Sequence, residues 1–138
     1  MQGNPVSLHK EGVEAARAVE TARAAVATAL GAHSDEIIFT SGGTEGNSLA
    51  LLGIHLALTK AASPKDLHYI TSAIEHPSVL EWFRYFEAQG VSVTYLVVGT
   101  DGRVDPKNLK ESLRPNTRLV SLMYVNNELG VIEPIAEC

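Results

Sequence analysis

His68-Tyr69-Ile70-Thr71-Ser72-Ala73-Ile74-Glu75-His76-Pro77 decides the fold. His68-Tyr69-Ile70-Thr71 has the make-up of a buried strand. Pro77 is a favoured first-turn residue, and a helix is predicted behind it over 78–89. The same alternation recurs on both sides. Upstream, Glu36-Ile37-Ile38-Phe39-Thr40 is short, branched and apolar, and reads as a strand. Ser41-Gly42-Gly43 breaks it, and a helix is predicted over 44–61, with Leu49, Leu52, Leu56 and Leu58 available to the core. Ser63-Pro64 marks a loop. Downstream, residues 91–98 read as a strand, Asp101-Gly102 as a turn, 106–113 as a short helix and 118–124 as a fourth strand. Residues 134–138 look like the opening of another helix.

Ahead of this alternation lies an Ala-rich stretch, residues 15–32, made of good helix formers. Val19, Ala22, Val26 and Leu30 recur at helical spacing, and Gly31 is placed as the stop. One helix followed by four strand–helix units predicts an α/β fold with a mostly parallel sheet and covering helices. Ligands of such sheets collect at the carboxyl ends of strands, so the residues there carry the functional reading.

Bulk properties narrow the classes. The 138 residues suit one domain able to bury a core without disulfides or metals. Hydrophobic residues make up 45% and charged residues 20%, a globular balance that argues against disorder. Eleven basic against 16 acidic side chains give a net charge of -5, which disfavours nucleic acid and anionic membrane surfaces as partners. A single cysteine, Cys138, allows no intrachain disulfide and suits a reducing cytoplasm. No apolar run approaches the roughly 20 residues that span a bilayer. Met1-Gln2-Gly3-Asn4-Pro5 has no signal-like charged and apolar regions.

Three constellations sit at predicted strand ends. The first is Thr40-Ser41-Gly42-Gly43-Thr44-Glu45. Two glycines admit close approach, the helix start offers N–H groups and a positive dipole end, and Ser41 and Thr44 add hydroxyls. That combination can cradle a phosphate. It is neither a Walker loop, since the lysine is absent, nor G-x-G-x-x-G. A plain glycine turn with Ser41 or Thr44 capping the helix accounts for it equally well. The second is Thr71-Ser72-Ala73-Ile74-Glu75-His76-Pro77. An imidazole at a sheet edge can stack on a planar ring or move protons, or simply bond local backbone. Glu75 reads as a solvated or capping acid. The third is Tyr124-Val125-Asn126-Asn127-Glu128-Leu129-Gly130, whose amides either hold a turn or bind a ligand. His9-Lys10, with Lys10 in solvent, precedes the first helix. His33, His55 and His68 lack metal-ligand spacing. Cys138 follows no activating motif, and Asp101 and Asp105 serve turn and cap.

In this order the constellations resemble the class V aminotransferase family, most closely its cysteine desulfurase branch and the selenocysteine lyase relatives. The resemblance begins at Gly3-Asn4-Pro5-Val6-Ser7-Leu8-His9. It continues through Phe39-Thr40-Ser41-Gly42-Gly43-Thr44-Glu45, Thr71-Ser72-Ala73-Ile74-Glu75-His76 and Val125-Asn126-Asn127-Glu128-Leu129-Gly130-Val131. Each segment is weak alone; the four together are specific. Gly46, Ser48 and Tyr124 depart from the commoner family residues.

The resemblance implies a partial large domain of the PLP-dependent (pyridoxal 5'-phosphate) transferase fold type I, spanning 1–138, without the small domain. It implies that Gly43 and Thr44 hold the PLP phosphate. His76 stacks on the pyridine ring and assists proton transfer, and Asn127 bonds the cofactor near its phenolic oxygen. The parent activity would convert cysteine to alanine and an enzyme-bound persulfide, feeding sulfur transfer and iron–sulfur cluster assembly in the cytoplasm. Several family features have no counterpart in 1–138. These are the Leu-Asp-x-Ala-Ala-Thr segment, the aspartate facing the pyridine nitrogen, the lysine that attaches PLP, and the catalytic-cysteine loop. The chain alone is therefore expected to be inactive, with covalent PLP attachment impossible at the family position.

The family's strand order also implies that the strand at 68–71 lies between those at 91–98 and 118–124. The segment 36–40 would pair with a strand outside 1–138. Ordering is expected to need a second copy, swapped elements or a complementary chain that supplies the missing half, and the family implies a homodimer. Alternatives are another class V chemistry, such as selenocysteine lyase or aminotransferase, and a non-enzymatic module that binds phosphate or a partner.

Overall fold

A computed structural model describes residues 3–138. They form two compact units, one ending at Thr40 and one beginning at Ser41.

In the first unit Asn4 folds a tight turn. Its Oδ1 accepts the Val6 N–H at 3.0 Å and its carbonyl accepts the Ser7 N–H at 2.9 Å. Helix α1 follows, Lys10–Leu30. It starts earlier than its Ala-rich part because His9 caps it: Nδ1 accepts the Gly12 N–H at 3.2 Å. Gly12 is required by packing, since a Cβ there would lie 2.3 Å from the Ser7 carbonyl oxygen. Gly31 ends the helix as expected, at φ 65°. The expected apolar face is not the buried one. Ala22, Val26 and Leu30 are exposed and Val19 is half-buried, whereas Gly12, Ala15 and Ala27 are the buried positions of α1.

The strand expected over 36–40 does not form. Ser34–Glu36 is a single 3-10 turn, and the chain then runs on without a ladder. The Arg23 guanidinium bonds the Ile37 carbonyl and lies 5.0 Å from the Phe39 ring centre. Branched apolar residues favour a strand only where a neighbour supplies hydrogen bonds and cover. Among the described residues no strand pairs with 36–40, and Ile38 is 72% exposed.

The second unit holds helices α2 (Gly43–Thr59), α3 (Pro77–Ala88) and α4 (Pro106–Ser112) and strands β1 (His68–Ser72), β2 (Ser92–Leu96) and β3 (Thr117–Ser121). The sheet order is β2-β1-β3, all parallel, as expected. Parallel pairing follows from the crossovers: α3 returns the chain between β1 and β2, and α4 between β2 and β3. The central strand β1 is buried along its whole length. Successive β1 side chains face opposite sides. Tyr69 packs with Leu51 of α2 and with Val79, Phe83 and Phe86 of α3. Ile70 packs with Leu96, Val104 and Leu109 of α4.

Details differ from expectation. Leu51 and His55 carry the inner face of α2, while Leu49 and Leu56 are about half exposed. His68 is buried in the sheet, its two ring nitrogens 2.8 Å from Thr117 Oγ1 and 2.9 Å from Thr94 Oγ1. Residues 134–138 make one turn rather than a helix, with the Cys138 N–H on the Pro134 carbonyl at 3.2 Å. Asp105 caps α4, and Asp101 holds its turn through the Arg103 N–H. Among the described residues no helix is long and apolar enough to cross a membrane.

Candidate functional site

Two of the three constellations meet where α2 and α3 begin. Gly42 precedes α2 in fully extended backbone, and the Gly46 N–H closes the first turn on its carbonyl at 3.1 Å. The Gly43, Thr44 and Glu45 N–H groups have no carbonyl four residues back inside the helix, as at any helix start. A Cβ at Gly42 or Gly43 would meet nothing within 4 Å, and neither residue has a left-handed φ. Nothing inside this unit therefore requires glycine at either position. Thr44 is exposed beside them.

Ser41 does not join this cradle. Its N–H and its hydroxyl both donate to one Glu45 carboxylate oxygen, at 2.6 and 2.7 Å. Those two bonds, the backbone one foremost, hold the exposed Glu45 carboxyl below its ordinary range. Ser41 and Glu45 thus shape the turn that enters α2.

His76 caps α3. Its Nδ1 accepts the Ser78 N–H at 3.1 Å and lies 2.8 Å from Ser78 Oγ. Nδ1 is committed as an acceptor, so the proton of the neutral ring sits on Nε2. Asn47, one turn into α2, donates to Ser78 Oγ at 2.9 Å and ties the two helix starts together. Farther along, the Trp82 indole donates to Ser48 Oγ at 3.0 Å, and Ser48 donates to the Thr44 carbonyl at 2.8 Å. Gly43, Thr44, Asn47, His76 and Ser78 line a cavity of about 320 Å³. An adjoining groove of about 500 Å³ adds Ser48, Glu81 and Trp82. None of the five lysines lines either space. A cavity of about 530 Å³ lies elsewhere, among Val97, Asp101, Arg103 and Asn108, and includes none of Gly43, Thr44, His76 and Asn127.

The local-backbone reading of His76 is correct, and it also fixes how the ring is presented. Asn127 is not among the residues of the cavity; it is exposed on the turn over 124–130. Its neighbour Asn126 is buried and holds that turn, its Oδ1 accepting the Glu128 and Leu129 N–H groups at 2.9 and 2.8 Å. Glu75 is not solvated. It is 6% exposed and accepts the Met123 N–H at 2.5 Å and the Ser72 hydroxyl at 3.2 Å. Burial, the largest cause, pushes its carboxyl up.

Asn47 and Ser78 were not singled out in the sequence. Their signal was positional: one helical turn after Gly43, and two residues after His76. Among the described residues no group of His, Cys, Asp and Glu could hold a metal ion. Partial burial and the nearby Glu137, Glu133 and Asp105 carboxylates push the Cys138 thiol up, away from the reactive thiolate.

The model of the family described as aminotransferase class-V matches residues 1–138. The cysteine desulfurase IscS of Dictyoglomus turgidum is 52% identical over 135 residues, 98% of this chain and 33% of that protein. The crystal structure of DndA from Streptomyces lividans superposes with a TM-score of 0.85 at 47% identity, covering 97% of this chain and 37% of that one. The structure of SspA in complex with cysteine gives a TM-score of 0.83 at 39% identity, covering 97% and 38%. The chain thus spans about a third of the length of the curated relatives it matches.

Proposed function

This chain belongs to the aminotransferase class-V family, and from that premise we propose that residues 1–138 are the N-terminal part of the PLP-binding large domain of a cysteine desulfurase-like enzyme. The observation that carries the reading is the shared cavity of Gly43, Thr44 and His76, an anion cradle facing an imidazole of fixed orientation.

The residues present fit PLP. Glycine at 42 and 43 has no explanation within this unit, and a ligand pressing on the backbone there supplies one. Gly43 and Thr44 would hold the phosphate through N–H groups, the Thr44 hydroxyl and the positive end of α2. His76 would face the pyridine ring and present its Nε2–H there as a hydrogen-bond donor. Asn127 would offer its amide to the cofactor's phenolic oxygen. When bound, the cofactor supplies an electron sink for the amino acid's Cα.

The parent substrate is cysteine, converted to alanine with sulfur passed to a thiol of the enzyme and onward to iron–sulfur cluster assembly. The parent works in the cytoplasm as a homodimer. The lone Cys138 supports the compartment. Residues 1–138 alone do not turn over cysteine, because no lysine lines the cavity to anchor the cofactor.

A chimera tests the reading. Residues 3–138 would replace the matching third of the Dictyoglomus turgidum relative, and the purified, PLP-loaded protein would be given cysteine. Alanine formed in step with sulfur release is expected. A folded, loaded chimera that releases no alanine contradicts the assignment.

A further inference from the structure

Two pairs of neighbours in the second unit share one arrangement. In Glu75-His76 the first side chain turns inward and the second faces solvent; Asn126-Asn127 does the same. The inward members reach across to the other loop. Glu75, from the segment after β1, accepts the Met123 N–H at 2.5 Å, just ahead of the 124–130 turn. Asn126, from that turn, donates through Nδ2 to the Ile74 carbonyl at 2.9 Å. The two bonds run in opposite senses and cross-link the backbone just ahead of His76 and of Asn127.

Each inward residue is also fixed at home. Ser72 holds Glu75, and the Glu128 and Leu129 N–H groups hold Asn126. The Asn126 N–H donates to the Val131 carbonyl at 2.9 Å. Glu75 and Asn126 are 6% and 4% exposed, so water competes little for these bonds.

We propose that Glu75 and Asn126 form a brace that sets the placement of His76 relative to Asn127, making both positioning residues for the ring of the bound cofactor. This rests on the proposed PLP seat. The phosphate cradle at Gly43 and Thr44 belongs to α2 and takes no part in the brace, so phosphate and ring binding separate experimentally.

The test compares PLP with inorganic phosphate on the chain by calorimetry, alongside NMR of the His76 ring and the Asn127 side-chain amide. Asn126→Asp keeps the acceptor for Glu128 and Leu129 and removes the Nδ2 donor to the Ile74 carbonyl and to Met123 Sδ. Glu75→Ala deletes the other bond, and Glu75→Gln keeps an acceptor for Met123. Asn126→Asp and Glu75→Ala are each expected to weaken PLP about fivefold to tenfold, the scale of one buried hydrogen bond. Phosphate affinity stays within about twofold, a change too small to reflect a lost bond. Both variants shift the His76 and Asn127 signals, and the Met123 amide exchanges faster in Glu75→Ala. Glu75→Gln restores most of the PLP affinity.

Equal loss of PLP and phosphate, or unchanged PLP affinity in both variants, overturns the brace. If the unsubstituted chain does not prefer PLP over phosphate, the PLP seat fails instead. The brace is then judged on the unliganded signals: a shift of both His76 and Asn127 upholds it, and unmoved signals overturn it.

Discussion

The His55 imidazole lies stacked on the Phe86 ring, centroids 4.4 Å apart, while its Nδ1 sits 3.1 Å from the Tyr69 hydroxyl. Those three side chains join α2, α3 and β1, the elements beneath the cradle. Phe86 also meets Trp82, Phe83 and Tyr85. Phe86→Ala is expected to cost about 3–5 kcal/mol, transfer and cavity terms together. Chemical denaturation followed by tryptophan fluorescence measures it. A loss below about 1 kcal/mol, the scale of a surface change, would show that this cluster does not hold the unit.

The same histidines set an acid sensitivity. Burial pushes the His55 imidazole below its ordinary value, and burial, then the Arg114 charge, does the same for His68. A depressed pKa means the unfolded chain binds protons first. Their stabilising contribution is complete above the ordinary imidazole value and is lost as pH falls through the folded one. Denaturation midpoints should therefore drop on acidification from neutral pH, and His68→Gln should flatten part of that slope. Glu75 works in the opposite sense. Its raised pKa makes its contribution complete below the ordinary carboxylate value and lost as pH rises through the folded one.

Gly43→Ala separates folding from binding. The added Cβ meets open space and sits at a helix start, so stability should hold or rise by up to about 1 kcal/mol. Phosphate and PLP affinity should both fall, because the methyl group occupies the approach to the α2 N–H groups. Unchanged binding by calorimetry would remove Gly43 from the cradle.

Gly12→Ala should do the reverse. A Cβ 2.3 Å from the Ser7 carbonyl oxygen and 2.8 Å from that of Asn4 forces the turn over 4–7 away from α1. The Gly12 N–H bond to His9 should loosen, with faster amide exchange at Gly12 and lower helix content by circular dichroism. Phosphate affinity, set in the other unit, should not change.

Much of the second unit was legible because its signals are local. Pro77, Asp105 and the short branched runs mark boundaries that hold to within a few residues. The strand order came from the family resemblance rather than from periodicity. The segment 36–40 was misread because strand propensity describes a residue's fit to a sheet, and no neighbour pairs with it among the described residues. The inner face of α2 was legible only in part: Leu58 packs against the core as expected, but periodicity of leucines alone does not bring out His55, which stacks there. At the site, the functional candidates were legible as residue types at strand ends. Which member of Glu75-His76 or Asn126-Asn127 turns inward was not, since tertiary hydrogen bonds decide it.

The central claim is that Gly43, Thr44 and His76 together seat PLP, and one calorimetric comparison tests it most directly. PLP and inorganic phosphate would be titrated into the unsubstituted chain and into His76→Ala. The account predicts that PLP binds more tightly than phosphate, and that His76→Ala removes most of that preference while leaving phosphate affinity unchanged. Equal affinity for the two ligands, or a preference that survives His76→Ala, would contradict it.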